Sequence, residues 1–430
     1  VTGTNGKSSV ADFYYQILNL NKKKTASIGT IGVQQNNKKK ITDNTTMDPI
    51  KLGKVINNLC VNKIDNIILE ASSHGLKQNR LDGLFFDIGI FTNLSHDHLD
   101  YHKNVNDYLN AKLYLFKNLI KKKGIIITDP KIPQFKKIKR IADKKKIKLL
   151  TIISPNSDLE LVSHQYEDNY QILTIKERNK KKIIKLKLKL IGKIQIKNVL
   201  MAILAATKSS LNINSIKKSI IKLKPTEGRL EKLGNLKNNS KVILDFAHTP
   251  DALKTILTNI KEQFPNGRIK LVFGCGGDRD KLKRSKMGKI ASKLADVIYL
   301  TDDNPRTEDP QKIRNDIKKG IKTKNIQEIS SRKKAIHSCI NNLCSGDIAI
   351  IAGKGHEKTQ DYNGKKFFFS DRKEIFKSIN LKNKRLFKDK RLNIIQEKNT
   401  LLPKNLKLNK VSINSKELKK NDIFFAIKGK

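Results

Sequence analysis

Short apolar runs alternate with helix-period segments along almost the whole chain, and this alternation restricts the possible folds more than any other feature of the sequence. The runs Asn66–Glu70, Asp87–Phe91, Gly124–Thr128, Val242–Phe246, Lys270–Phe273, Val297–Leu300 and Asp347–Ile351 read as strands. Amphipathic stretches lie between several of them. After Lys7, the residues Val10, Phe13, Tyr14, Ile17 and Leu18 recur at helical spacing. A second helix is expected after Thr249, a good N-cap, with Pro250 at the first helical position and Asp251 in the first turn. Repeated strand–helix alternation predicts the α/β class: parallel sheets flanked by helices.

With 430 residues the chain can bury more than one core. We expect a P-loop-type parallel-sheet domain at 1–225 and a Rossmann-like α/β domain at 226–380. A basic linker is expected at 381–402 and a short tail at 403–430. Within the first domain, Leu159–Leu190 alternates apolar and basic stretches and reads as an inserted antiparallel portion. No apolar run reaches the roughly 18–20 residues that span a bilayer. A Gly-rich turn falls where a secretory signal would be apolar. No membrane partner is expected, and the expected location is cytoplasmic.

The formal charge of +49 raises nucleic acid as a partner. Its lysines, however, are scattered in runs such as Lys22–Lys24, Lys38–Lys40, Lys121–Lys123 and Lys180–Lys182, among Ile and Asn and without interleaved aromatics. That pattern reads as solvated faces, and no specific nucleic-acid partner is expected. Cys60, Cys275, Cys339 and Cys344 have neither zinc nor Cys-x-x-Cys spacing and are expected to be reduced thiols.

Chemistry begins at Gly3-Thr4-Asn5-Gly6-Lys7-Ser8-Ser9. A Gly-rich turn entering a helix aims backbone N–H groups and the positive helix end at phosphate oxygens. Lys7 supplies charge for the β- and γ-phosphates, and Ser8 is the expected magnesium ligand. The spacing Gly-x-x-Gly-Lys-Ser is shorter than the common Walker loop. Glu70 ends a strand, where ligands of open α/β sheets gather, so it too is a candidate for magnesium. Thr92–His102 is a second polar cluster following a strand, with His96, His98 and His102 beside Asp97 and Asp100. The histidine spacing is irregular and lacks cysteine partners, which favours a hard-metal or phosphate site over zinc.

With these motifs together, the chain resembles the Mur ligase family, ATP-dependent amide ligases that build the peptidoglycan stem peptide. The resemblance runs from residue 1 to about residue 380. It rests, in order, on Gly3–Ser9, Asn44-Thr45-Thr46, Glu70–Arg80, Thr92–His102, Gly228-Arg229, Asp245–Asp251, Phe273–Lys281, Asp303–Arg306 and Gly353–Glu357. It implies a central ATP-binding domain at 1–225 and a C-terminal, amino-acid-binding domain at 226–380. Gly3, Thr4, Asn5, Gly6, Lys7, Ser8 and Ser9 are then expected to cradle ATP. Asn198, Arg229, Asp245 and His248 fall where the family contacts adenine, ribose and phosphates. Lys7, Glu70, His98 and Lys112 are the expected catalytic set. Ser8, Glu70 and His98 would hold Mg2+, and Lys112 would hold a second magnesium if carbamylated.

For the acceptor, the resemblance places Asn44, Thr45, Thr46, Ser72, Gln78 and Arg80 at positions that grip UDP-N-acetylmuramoyl-L-alanyl-D-glutamate. Asp303-Asn304-Pro305-Arg306 resembles the segment by which the family selects meso-diaminopimelate over lysine. Diaminopimelate carries an extra carboxylate, and a guanidinium binds one through two parallel charge-assisted hydrogen bonds. Arg279, Gly353 and Glu357 match the remaining amino-acid positions. The implied activity is ligation of meso-diaminopimelate to the UDP-muramoyl dipeptide through an acyl phosphate, by a monomer using small-molecule substrates. Two other readings stay open: a different ligase of this superfamily, such as one resembling folylpolyglutamate synthase, and an inactive truncated remnant that only binds nucleotide.

The sequence departs from the family pattern in four places. Ser8-Ser9 stands for Thr-Thr, Ile194-Gln195 for Phe-Asn, and Phe246 for a tyrosine. The family's N-terminal domain is not seen ahead of the phosphate loop, while Val411–Lys430 resembles the opening of such a domain. Some twenty residues of a β-rich domain bury no core, so this tail is expected to be poorly ordered.

Overall fold

The computed structural model describes residues 1–167, 170–178, 183–396, 411–412 and 423–424. Residues Val1–Ile379 form one unit and Asn380–Lys430 a second.

Ten strands precede residue 190: β1 Thr25–Gly29, β2 Gly32–Gln35, β3 Lys38–Lys40, β4 Asn66–Leu69, β5 Phe86–Phe91, β6 Ile120–Thr128, β7 Lys148–Ile153, β8 Leu159–Glu167, β9 Tyr170–Glu177 and β10 Ile183–Leu188. They form a four-stranded sheet, β3-β2-β1-β4, and a six-stranded sheet, β10-β9-β8-β7-β6-β5. Val1 and Thr2 stitch the two together. The Val1 nitrogen donates to Leu69 O over 2.7 Å, and Ala71 N donates to Val1 O over 2.8 Å. On the other side Thr2 N donates to Ile90 O over 2.8 Å, and Thr92 N donates to Thr2 O over 3.0 Å. The phosphate loop therefore leaves the middle of a continuous sheet, between β4 and β5.

Among the described residues, the α-helices flanking these strands are α1 Lys7–Leu20, α2 Pro49–Val61, α3 Ser73–Lys77, α4 Val105–Tyr114, α5 Phe135–Lys145, α6 Ile194–Lys208 and α7 Ile213–Ile220, with a π-helical turn at Leu115–Leu119. One face of the sheet buries Val10, Phe13, Ile17, Val199 and Ile203 of α1 and α6. Leu52, Leu109, Leu113 and Ile138 of α2, α4 and α5 cover the other. Each fully buried Leu or Ile of this kind contributes roughly 1.5–3 kcal/mol. The expected antiparallel portion is present as β8–β9–β10, but it continues the edge of the main sheet rather than forming an inserted sheet of its own.

The second sheet contains β11 Glu231–Lys232, β12 Lys241–Asp245, β13 Ile269–Phe273, β14 Val297–Leu300, β15 Ile326–Glu328 and β16 Ile348–Ala352. Its order is β11-β12-β16-β13-β14-β15, parallel apart from β11. Strands β13 and β16 are buried along their whole length, as expected of strands covered on both faces. On one face lie α8 Pro250–Gln263, α9 Leu282–Leu294 and α10 Pro310–Lys318; on the other lie α11 Arg332–Asn341 and the start of α12 Asp371–Gln396. Thr249 caps α8 as expected, its side chain accepting from Ala252 N. A small hairpin, β17 Thr359–Tyr362 with β18 Lys365–Phe368, precedes α12.

The sequence reading gave 381–402 to a basic linker, but α12 carries helical backbone through Gln396. In the second unit, Val411–Ser412 and Ile423–Phe424 pair in parallel. The rest of the expected 403–430 tail lies outside the described residues.

Candidate active site

The phosphate loop has the backbone that its glycines predict. Gly3 has φ +144° and Gly6 φ +89°, a region that L side chains rarely adopt. Neither has room for a Cβ, which would stand 1.9 Å from Thr92 Oγ1 at Gly3 and 2.6 Å from Asn198 Oδ1 at Gly6. Asn5 N donates to Asn93 Oδ1 over 2.9 Å, and Thr4 Oγ1 meets Tyr108 OH at 3.1 Å. Gly6 leads directly into α1, so the first-turn N–H groups open onto the loop. Lys7 folds back onto it, donating to Gly3 O over 2.8 Å and Thr4 O over 2.9 Å. Loss of solvent holds its ammonium below the usual lysine range; Glu70 opposes this and Arg229 adds to it.

Ser8 and Glu70 meet as their positions imply. Ser8 Oγ donates to Glu70 Oε2 over 2.8 Å, while Thr30 donates its backbone N–H to Oε1 over 2.8 Å and its hydroxyl to Oε2 over 3.1 Å. Ser9 is buried one residue further on in α1. The loop after β5 brings His98 to His74, ring centroids 5.0 Å apart. Burial pushes the His98 imidazole below its usual pKa, with Asp97 acting against it and His74, Lys7 and Lys112 reinforcing it. Lys112, on α4, is only 1% exposed; its ammonium donates to Gly3 O over 2.8 Å and lies 4.3 Å from the Tyr108 ring centre. Its pKa is well below the usual lysine range, chiefly because it is desolvated and secondly because Lys7 is near.

Among the described residues, no group of three or more His, Cys, Asp or Glu forms a cage for a metal ion. The donors present suit an oxygen-seeking cation held partly by its ligand. A carboxylate and a hydroxyl, Glu70 and Ser8, stand together at a phosphate loop, the arrangement in which Mg2+ takes one or two protein oxygens plus phosphate oxygens.

Beside this centre, Thr45 Oγ1 lies 3.0 Å from Thr30 Oγ1, and Thr46 Oγ1 donates to Glu70 O over 2.8 Å and accepts from Ser72 N over 2.9 Å. Arg80 donates to Thr46 O over 2.7 Å. Ser72 also caps α3, accepting from Gly75 N. Gln78 reaches Tyr101 OH over 3.0 Å, and Asn44 is exposed on the adjoining loop. Thr46 and Gln78 thus bond directly to the Glu70 strand end and the histidine loop, Ser72 and Arg80 join through Thr46, and Thr45 through Thr30.

The residues expected on the nucleotide side come from both domains. Asn198, buried on α6 against Gly6, is oriented by Gln195, whose Oε1 accepts from Asn198 Nδ2 over 2.9 Å. The Arg229 guanidinium lies 4.6 Å above the Phe246 ring, so the aromatic face is kept where the family's tyrosine is replaced. Asp245 ends β12 and accepts from Leu230 N and Ala247 N, both over 2.7 Å. Burial raises its pKa, against the pull of Arg229. His248 Nδ1 lies 2.8 Å from Phe246 O.

At the end of β14, the Asp303–Arg306 turn packs against the segment after β13. Arg306 sits at φ +53° and donates from its guanidinium to Gly277 O over 2.6 Å. Asn304 donates to Glu357 Oε2 over 3.1 Å. Pro305 O accepts from Glu308 N over 3.1 Å, closing the turn. Gly353 N donates to Asp245 O over 3.1 Å, and at φ +117° its missing side chain leaves space for Asp303.

The histidine loop connects the two halves. On its domain's side, Ser95 N donates to Thr4 Oγ1 over 3.0 Å. Across the cleft, His96 lies 3.5 Å from Asp280, and Arg279 lies 3.7 Å from Asp100. Burial pushes the Asp97 carboxyl up, but His248 of the second domain, the ring and backbone N–H of His98, and Lys283 together hold it below its usual range. The phosphate loop and the Arg306 turn are thus linked through the histidine loop and the Gly277–Asp280 segment. Sequence reasoning missed Thr30, Tyr108 and Lys354. Only Lys354 carried a signal, its place inside the Gly353–Glu357 motif.

Two α/β domains, with a phosphate loop set beside a strand-end carboxylate, fit the class of ATP-dependent carbon–nitrogen ligases. Residues 1–206 match the Mur ligase middle domain and residues 228–355 the Mur ligase, glutamate ligase domain. The UDP-N-acetylmuramoyl-L-alanyl-D-glutamate–2,6-diaminopimelate ligase of Rickettsia bellii (strain RML369-C) is 42% identical over 376 residues, 86% of this chain and 78% of that protein. A solved structure of a ligase of the same name is 31% identical with a TM-score of 0.63, covering 88% of this chain and 77% of the other. A folylpolyglutamate synthase from Mycobacterium tuberculosis shares the fold alone, with 15% identity and a TM-score of 0.65 over 82% of this chain and 87% of that one. The chain belongs to the Mur ligase family.

Proposed function

We propose that the protein joins meso-2,6-diaminopimelate to UDP-N-acetylmuramoyl-L-alanyl-D-glutamate with ATP as co-substrate, in the cytoplasm and as a monomer. The observation that carries this reading is the Asn304–Arg306 turn, which sets an amide and a guanidinium beside the Gly277–Asp280 segment that meets the histidine loop. A second carboxylate distinguishes diaminopimelate from lysine, and a guanidinium is the side chain best shaped to bind it. Similarity to diaminopimelate-adding ligases supports the same choice.

In the proposed reaction, the first-turn N–H groups of α1 and the Lys7 ammonium bind the phosphates of ATP. Thr45, Thr46, Ser72, Gln78 and Arg80, with Asn44, hold the UDP-muramoyl dipeptide beside Glu70. The D-glutamyl γ-carboxylate attacks the γ-phosphorus, ADP leaves, and an acyl phosphate results. Lys7 neutralises charge on the transferring phosphoryl group. Ser8, Glu70 and His98 would hold Mg2+, which screens phosphate charge when bound. Burial lowers the Lys112 pKa and so raises the share of neutral amine, the form that takes up carbon dioxide to become a carbamate. The diaminopimelate amine, placed by Asn304, Arg306, Arg279, Asp303 and Glu357, then attacks the acyl carbon. Phosphate leaves, and the amine loses a proton as the amide forms. No nucleophilic side chain is needed, since positioning and electrostatics carry both steps.

Phosphate release from ATP, measured with the UDP-muramoyl dipeptide and either meso-diaminopimelate, L-lysine or glutamate, tests the reading. Release with meso-diaminopimelate together with a tripeptide product of matching mass is the expected result. Preference for either other amino acid would overturn it.

A further inference from the structure

Lys354 is a lysine with no solvent exposure, just beyond the end of β16. Its ammonium donates to Asn304 Oδ1 over 2.8 Å and to Glu357 Oε2 over 3.0 Å, and lies 3.9 Å from Asp303 Oδ1. A buried ammonium is tolerated only where acceptors replace its lost water. Here every one of those acceptors belongs to the cluster that the proposed reaction assigns to the amino acid.

The geometry determines which way the Asn304 amide faces. Its Oδ1 accepts from Lys354 and also from Asp361 N over 3.1 Å. Its Nδ2 therefore lies on the other side, donating to Glu357 Oε2 over 3.1 Å. Reversing the amide would press an NH2 group against an ammonium and a backbone N–H, which have no acceptor to offer it. Glu357 Oε2 accepts from Asn304 Nδ2 and Lys354 Nζ, and among the described residues no hydrogen bond reaches Oε1. One Nδ2 hydrogen of Asn304 and one oxygen of Glu357 are thus left to face a ligand bearing both a carboxylate and an ammonium.

We propose that Lys354 is a positioning residue for the acceptor amino acid. By fixing the Asn304 amide and the Glu357 carboxylate, it favours an acceptor ending in an amine–carboxylate pair over one ending in an amine alone. This inference rests on the ligation proposed above.

The test compares wild type, Lys354→Met, Lys354→Arg, Asn304→Ala and the Lys354→Met/Asn304→Ala double variant in ATP-dependent phosphate release. Acceptors are meso-diaminopimelate and L-lysine, and a melting curve for each variant checks folding. Lys354→Met should raise KM for meso-diaminopimelate roughly tenfold or more, because misplaced polar groups lose both affinity and reaction geometry. KM for ATP should stay within about twofold, and the preference for meso-diaminopimelate over lysine should fall. The double variant should be no worse than the worse single, since both changes remove the same positioning. Lys354→Arg keeps the charge but not the compact three-donor head, so it should shift the same ratio if the methionine variant does not fold. Equal rises in both KM values, or an unchanged acceptor ratio in a folded variant, overturn the inference. Should wild type instead prefer another acceptor, the proposed reaction fails, and the inference is judged on the KM of the acceptor used: a rise confined to it upholds Lys354, and no such rise refutes it.

Discussion

The Lys112 ammonium donates to the carbonyl oxygen of Gly3 over 2.8 Å, tying α4 to the phosphate loop across 109 residues of sequence. Burial, with Lys7 close by, holds its pKa well below the usual lysine range and so raises the share of neutral amine open to carbon dioxide. Removing carbon dioxide and bicarbonate from the assay should therefore lower kcat, and adding bicarbonate should restore it. Carbon-13 NMR with labelled bicarbonate should show a carbamate resonance that Lys112→Ala lacks. Activity indifferent to bicarbonate, with no such resonance, would count against modification of Lys112.

Gly6→Ala should abolish nucleotide binding while sparing the fold. The added carbon would stand 2.6 Å from Asn198 Oδ1, at a φ of +89°. Left-handed backbone costs an alanine roughly 1–2 kcal/mol. The displaced Asn198 amide and α1 turn should carry most of the effect. Fluorescent-nucleotide titration beside a melting curve checks this, and near-normal affinity would refute it.

Arg306 also sits in left-handed backbone, so its best test keeps a long side chain. Arg306→Lys retains the charge but loses the planar fork, and should raise KM for meso-diaminopimelate ~10- to 100-fold with little change for ATP. Equal losses for both substrates would remove the basis for the proposed acceptor.

Asp12 supplies a pH dependence. Burial raises its carboxyl to about 6, against hydrogen bonds from Thr226, Gln16 and Gln34 and the charge of Lys39. The folded protein thus holds a proton at Asp12 that the unfolded chain has released, between about pH 4 and 6. Its contribution to stability is greatest below that window and is lost as pH rises through it. Asp12→Asn should stabilise the protein by ~1–3 kcal/mol at pH 8, with the difference vanishing below about pH 4. Urea denaturation at several pH values measures this, and a pH-independent difference would exclude it.

Arg332 and Asp371 form a fully buried pair, two hydrogen bonds of 2.7 Å each, that fastens α12 to α11. Asp371→Ala strands a guanidinium in the interior and should cost ~3–5 kcal/mol in chemical denaturation. Adding Arg332→Met should recover part of the loss.

Much of this arrangement was legible in the sequence because it rests on local rules. The apolar runs at Val297–Leu300 and Lys270–Phe273 are strands because burial on both faces demands unbroken hydrophobicity. The turn at Gly3–Gly6 announced itself through residues that only its backbone requires. What stayed hidden depends on distant pairing. Nothing in Thr30 announces that it will hold Glu70, 40 positions away. Lys354 lies in a stretch whose lysines are otherwise surface-like, and only folding shows that it is enclosed. The helix through Gln396 was missed because a strongly basic, weakly amphipathic stretch resembles a linker.

Helix α1 does two jobs at once. Its first turn forms the floor of the phosphate loop, and further along Asp12 accepts from Thr226 while Gln16 exchanges hydrogen bonds with both the N–H and the carbonyl of Lys224. Those partners belong to the strand of chain leading from one domain into the next. Gly6 and Gln16 are ten positions apart, ~15 Å along the helix. One helix therefore ties the floor of the loop to the segment entering the second domain, so a displacement of its first turn would carry to Lys224 and Thr226 without a relay of side chains.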